Sequence, residues 1–282
     1  MPENWEKTRE HLLDRNYHKA FIASHRGRFG MTVMENTALA FQLAVREGAD
    51  MVEMDISKTK DGVLVGFHDN DIFRMTGRRG KIWNRTYEEL MGMELNSYMF
   101  EKNGAYLETF EEMITPLKGK TIIVLDKCWD YWDDVYAVLK KLGMEQQAIF
   151  KFYSSAKHLY GEVHKYPEVM FIPMHETEDD LDAILALKKE CCLMGIEVLP
   201  KDKDDRGFTK EYMDMLHEHD LKVWCNSLSF CKRLIFGGGF DDLLSLREGG
   251  DAGWGELIRR GVDIIQTDWP HEVRQYLDET GH

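Results

Sequence analysis

Short runs rich in apolar, β-branched and aromatic residues recur along the whole chain. They fall at 20–25 (AFIASH), 51–56 (MVEMDI), 63–68 (VLVGFH), 121–126 (TIIVLD), 148–153 (AIFKFY), 169–175 (VMFIPMH), 195–200 (GIEVLP), 222–227 (KVWCNS) and 262–267 (VDIIQT). Their length and composition predict strands. Between most of them lie stretches with apolar residues three and four apart, such as ENTALAFQLAVREG, DYWDDVYAVLKKLG, TEDDLDAILALKKE and TKEYMDMLHEHD. Several of these open at an Asn, Thr or Asp and some end near a Gly, as capped helices do. Strands that alternate with helices predict a parallel sheet. The exception is the pair 51–56 and 63–68, separated by SKTKDG, whose Asp61-Gly62 turn predicts a hairpin. Setting the hairpin arm aside leaves eight strands, the number that closes a (β/α)8 barrel, with a doubly wound open sheet as the alternative. No linker, repeat or low-complexity segment divides the sequence, so one domain over 1–282 is expected.

A barrel gathers its chemistry at the carboxyl ends of its strands. Polar residues fall there. His25 ends the first strand, Glu53 and Asp55 the second, Asp126 and Lys127 the third, Lys151 the fourth, Asn226 the seventh and Asp268 the eighth, while His68 and Asp69 end the hairpin arm. Glu53 and Asp55, two apart on a strand, leave the same face within roughly 7 Å of each other. Two carboxylates so placed need either a cation between them or a Lys or Arg partner, and hard oxygen ligands suit Mg²⁺ or Ca²⁺ better than zinc. A histidine moves protons near neutral pH, and the arginine that follows His25 offers a fork for a phosphate. Two histidines beside a carboxylate pair match phosphodiester cleavage, which needs a base on one side of phosphorus and an acid on the other.

Composition narrows the partners. With 50 acidic against 36 basic residues the formal net charge is -14, which disfavours nucleic acid, and no stretch is apolar for the length of a membrane span. The first twenty residues lack the apolar core of a signal peptide, so a soluble, cytoplasmic protein is expected. The five cysteines, Cys128, Cys191, Cys192, Cys225 and Cys231, show no CxxC spacing and predict neither a disulfide framework nor a zinc site. Cys191 and Cys192 fall in a stretch read as helical.

The motifs HRG at 25–27, ENT at 35–37, EGADMVEMDISKTKDGVLVGFHD at 47–69, LETFEEM at 107–113 and GVDIIQTDWP at 261–270 closely resemble, in this order, the glycerophosphodiester phosphodiesterases. The resemblance implies a TIM-type barrel with a small insertion after the second strand, at about 70–110. It implies acid and base roles for His25 and His68, one divalent cation, Mg²⁺ or Ca²⁺, on Glu53 and Asp55, and a phosphate contact for Arg26. It also implies hydrolysis of small-molecule glycerophosphodiesters to glycerol 3-phosphate and an alcohol through a cyclic phosphate.

The third strand departs from that family, which carries a Glu two residues before its Lys. Here Lys127 has its counterpart, but Leu125 stands at the earlier position and the acid is Asp126. Asp126 is expected as the third ligand. Since successive strand residues face opposite ways, Asp126 and Lys127 reach one site only if the strand ends or bulges there. Otherwise Asp126 faces a helix. Lys151 is a further phosphate-binding candidate. Trp224 and Asn226 are expected to line the pocket, Trp224 with a plain core role as alternative, and Asp268 either bonds within the rim or caps the next helix. Two other functions fit a similar barrel. One is lysophospholipid cleavage, for which Phe73, Ile82, Trp83, Tyr87, Tyr98 and Phe100 of the insertion would form an apolar groove. The other is a catalytically silent metabolite-binding barrel, disfavoured by the presence of both histidines.

Overall fold

The computed structural model describes residues 4–97, 99–176, 181–231 and 234–282. Eight strands carry the fold: β1 Phe21–Ser24, β2 Met51–Lys58, β3 Ile122–Asp126, β4 Ala148–Tyr153, β5 Met170–His175, β6 Gly195–Val198, β7 Lys222–Asn226 and β8 Ile264–Thr267. Each pairs in parallel with the next, and β8 returns to pair with β1. The sheet is therefore a closed (β/α)8 barrel, and the open-sheet alternative falls because β1 has neighbours on both sides. The expected hairpin is present, with Leu64–Gly66 antiparallel to the end of β2.

Both faces of the strands are buried, which is why they read as continuous apolar runs rather than as alternating ones. Inward residues such as Ala23, Met51, Val124, Ile149, Ile172 and Trp224 form one core. Outward residues such as Ile22, Val52, Ile123, Leu125 and Phe150 pack against the helices in another. The helix Trp132–Leu142 buries Trp132, Val135 and Leu139, spaced to share one face, and stops at Gly143 in a left-handed conformation. The helix Ala38–Arg46 starts at Thr37, whose side chain accepts from Ala40 N.

Two elements went unpredicted, and the insertion at about 70–110 was expected without its internal structure. A helix at Trp5–Leu13 closes the barrel floor, with Leu12 entering the inner core beside the first inward residues of the strands. A short antiparallel pair, Ser229–Cys231 with Leu234–Ile235, follows β7. Residues 70–110 hold short helical segments and a hairpin, Glu94–Asn96 with Lys102–Tyr106, over a small core of their own that includes Ile72, Met75, Ile82, Leu90 and Leu95. Cys191 and Cys192 lie outside any helix, because the preceding 3-10 turn ends at Lys189 and Cys192 begins a two-residue strand. Among the described residues no helix is long and apolar enough to cross a membrane.

Candidate active site

At the carboxyl rim, β2 and β3 run in a register that sets Asp55 beside Asp126 and Glu53 beside Val124. Val124 faces the barrel interior, so Asp126, two residues on, faces it as well, while Leu125 packs outward among the helices. Oxygen atoms of Glu53, Asp55 and Asp126 all lie within 4.8 Å of one another. Glu53 and Asp55 are almost fully buried. Burial, with repulsion from Asp55 and Asp126, pushes the Glu53 carboxyl well above its ordinary range. Burial acts the same way on Asp55, but Arg26, His68 and a hydrogen bond from Asn36 overcome it and hold that carboxylate charged. Three converging carboxylates, one destabilised by the other two, form a donor set that fits a hard divalent cation.

Strand β3 ends at Asp126, and Lys127 takes a left-handed φ of 59°. That kink lets two consecutive residues reach one cleft. Lys127 Nζ donates to His68 O at 2.9 Å, and the Tyr131 hydroxyl donates to Lys127 O at 2.9 Å.

The turn after β1 is also left-handed, with φ 52° at Arg26 and 80° at Gly27. A Cβ on Gly27 would stand 2.7 Å from the Ala40 backbone, so only glycine lets this turn pack on the following helix. The turn delivers Arg26 N to Glu53 Oε2 at 3.1 Å, and the guanidinium reaches Glu35 at 3.0 Å and Asp55 at 3.1 Å. Arg26, expected to grip phosphate, is thus already shared between two carboxylates. It still lines the cleft. Burial opposes its charge, and Asp55 and Glu35 more than restore it.

Each histidine is held by an aspartate. His25 Nδ1 lies 2.8 Å from Asp268 Oδ1, and His68 Nδ1 lies 2.8 Å from Asp69 Oδ1. A carboxylate accepts only, so each Nδ1 donates to its aspartate, and Nε2 is the ring nitrogen left to take or give a proton. Asp268 therefore bonds within the rim. It does not cap the helix Pro270–Thr280, whose N-cap residue is Trp269.

Lys151 sits deep, with Nζ 2.7 Å from Glu197, 3.4 Å from Asp126 and 5.2 Å from the centre of the Trp224 ring. Burial opposes its charge, but Glu197, Asp126 and Glu53 hold the ammonium firmly protonated. Trp224 is fully buried and does not line the pocket, which corrects the sequence expectation. Its position on β7 points it inward one layer below the rim, where Nε1 donates to Asn226 Oδ1 at 3.0 Å and Gln266 Oε1 at 3.1 Å. Asn226 lines the cleft and donates to Glu197 Oε1 at 2.8 Å.

The cleft holds about 850 Å³. Its charged side is Arg26, Glu35, Asp69, Arg74 and Lys127 around the carboxylates. Its apolar side is Phe29, Leu199, Leu228, Phe230 and Phe236, with the Phe230 ring edge-on to His25 at 5.8 Å. The described apolar residues expected from the insertion are not there. Ile82 is buried in the insertion's own core, Phe73, Trp83 and Phe100 face solvent elsewhere, Tyr87 packs against that core, and Tyr98 lies outside the described residues. Among the described residues of the insertion, the buried apolar side chains pack into that core, and the exposed Phe73, Trp83 and Phe100 do not line the cleft. Sequence reading missed Glu35, Asn36, Arg74, Glu197 and Gln266 as site residues. Inward parity on β6 and β8 signalled Glu197 and Gln266, and the ENT motif held Glu35 and Asn36, but nothing local marked Arg74.

The model of the glycerophosphoryl diester phosphodiesterase family matches residues 25–166, about half of the chain, and a model described as a domain of unknown function matches residues 170–277. A glycerophosphodiester phosphodiesterase of Bacillus altitudinis is 39% identical over 98 residues, 33% of this chain and only 40% of that protein's length. The structure of a glycerophosphoryl diester phosphodiesterase from Parabacteroides distasonis superposes with a TM-score of 0.78 at 24% identity, over 99% of this chain and 93% of that one. An Oleispira antarctica phosphodiesterase in complex with the product sn-glycerol-3-phosphate superposes with a TM-score of 0.63 at 19% identity, over 94% and 99% of the two chains.

Proposed function

The chain belongs to the glycerophosphoryl diester phosphodiesterase family, and from that premise we propose that it hydrolyses glycerophosphodiesters to glycerol 3-phosphate and an alcohol, with His25 and His68 as acid and base. The observation that carries this reading is that two aspartate-held histidines and a largely buried carboxylate triad line one cleft at the barrel rim. Glu53, Asp55 and Asp126 would hold one Mg²⁺ or Ca²⁺, which when bound offsets negative charge developing on the phosphoryl oxygens. Lys127 adds positive charge at the same mouth, and Arg26 does so as far as its carboxylate partners leave it free.

In the first step one histidine takes the proton from the glycerol 2-hydroxyl as that oxygen bonds to phosphorus. The other gives a proton to the departing alcohol oxygen. In the second step the roles reverse: water attacks the cyclic phosphate, loses its proton to the histidine that had been the acid, and the ring oxygen is reprotonated by the other. Proton transfer of this kind contributes roughly 10²–10⁴-fold to rate.

Glycerol 3-phosphate release from glycerophosphocholine should proceed with Mg²⁺ or Ca²⁺, stop in EDTA and return on adding the ion back. Absence of release from any glycerophosphodiester, with either ion supplied, would sink the assignment. The apolar wall of Phe29, Phe230 and Phe236 favours a second reading, a lysophospholipid as the diester. A higher kcat/KM for lysophosphatidylcholine than for glycerophosphocholine would select it.

A further inference from the structure

Arg74 stands on the short helix Phe73–Thr76 in the insertion and bonds to two carboxylates at once. Nε and Nη2 donate to Asp69 at 2.7 and 3.0 Å, and Nη1 and Nη2 donate to Glu35 at 2.8 and 2.7 Å. Asp69 holds His68, and Glu35 holds Arg26, which reaches Asp55. Contacts therefore run without a break from His68 to the carboxylate triad, with charges alternating from Asp69 through Arg74, Glu35 and Arg26 to Asp55. Four of the five guanidinium N–H bonds are committed to these two carboxylates, in the paired geometry a planar fork allows and a lysine does not. Glu35 belongs to the loop after β1 and Asp69 to the far end of the hairpin arm, so the link joins barrel to insertion directly beside the site.

We propose that Arg74 is a positioning residue that latches the His68–Asp69 arm to the barrel and sets the distance between His68 and the carboxylate triad. Its charge is already compensated by Glu35 and Asp69, so it orders groups that act and does not itself grip substrate. Reach between a proton-transfer group and phosphorus is sensitive to sub-ångström placement, so loosening the latch slows chemistry more than it weakens binding. The catalytic consequence rests on the proposed phosphodiesterase activity; the structural consequence does not.

The test compares Arg74→Gln, Arg74→Lys and wild type in two ways. On glycerophosphocholine, Arg74→Gln should lower kcat by about 10–100-fold with KM within about 3-fold, and Arg74→Lys should recover part of the loss. A rise in KM with kcat unchanged, or no change in either, overturns the proposal. In hydrogen exchange, amides of residues 68–76 should exchange roughly 10-fold faster in Arg74→Gln while those of β1 stay as in wild type. Unchanged exchange across 68–76 overturns the latch whatever the activity. If wild type itself releases no glycerol 3-phosphate, the functional reading fails and exchange alone decides the latch. Should Arg74→Gln not fold, Arg74→Lys carries both measurements.

Discussion

The two histidine–aspartate pairs have the same bond length and different foundations. His25 is 5% exposed, and its Asp268 continues directly from β8. Behind Asp268 stands a buried carboxylate, Asp242. It accepts from Ser227 Oγ at 2.6 Å, Thr267 Oγ1 at 2.8 Å, Trp254 Nε1 at 2.8 Å and Asp268 N at 3.1 Å. The His68 side chain is 32% exposed, and its Asp69 is held by Arg74 from the insertion. One arm is fixed by neutral donors at the ends of barrel strands and from the helix Trp254–Arg259, the other by an ion-pair string between barrel and insertion. The first is rigid by packing. The second is rigid only while its charges stay paired.

The sharpest check is removal of each imidazole. His25→Ala and His68→Ala should each reduce kcat by roughly 10²–10⁴-fold with a smaller effect on thermal stability, since both rings line the cleft and belong to none of the hydrophobic clusters. Near-normal turnover in either variant breaks the symmetry of function on which the comparison rests.

A smaller effect separates the arms. Asp268→Asn and Asp69→Asn should each cost about 10–100-fold in kcat, by loosening the ring they orient. The cost of Asp69→Asn should shrink as salt rises from low to about 1 M, because screening already weakens the partly exposed pairs it removes. The cost of Asp268→Asn should not. Equal salt dependence in kinetic assays would erase the distinction.

The smallest effect is in the pH dependence of stability. Burial pushes the Asp242 carboxyl up to about 7, against hydrogen bonds from Ser227 and Trp254. The native state then binds this proton more tightly than the unfolded chain does. Its contribution is full below the ordinary carboxylate pKa of about 3.9 and declines as pH rises towards 7. Burial acts likewise on Asp69, but hydrogen bonds from His68 and Arg74 win and hold its carboxylate well below the usual range. Its contribution is full above that ordinary pKa and is lost as pH falls below it. Melting curves should therefore show Asp242→Asn flattening the decline between about pH 4 and 7, and Asp69→Asn flattening the acid limb. The reverse assignment would contradict the charge states given to the two arms.

Much of this was legible in the chain itself. All nine apolar runs are strands, because a parallel barrel buries both faces of each strand and leaves an apolar run as its mark. His25, Glu53, Asp55, Asp126 and His68 share one rim because strand ends in such a barrel share one side. The helix Trp5–Leu13 went unread because it turns so little apolar surface towards the barrel floor. The groove was misplaced because composition does not say where an exposed aromatic faces: Ile82 and Tyr87 pack into the insertion's core, while Phe73, Trp83 and Phe100 face solvent away from the cleft.

Sequence alone determined the period of the strands, their number and the order in which carboxylates and imidazoles arrive at the rim, since these follow from local pattern along one dimension. Tertiary structure decided what local pattern does not contain. The register of β3 against β2 turned Asp126 inward, the left-handed kink at Lys127 brought its neighbour to the same cleft, and closure of the barrel sank Trp224 below it. Arg74 became part of the site only when the insertion folded back within hydrogen-bonding distance of Glu35, a contact between residues 39 positions apart that only the folded chain brings together.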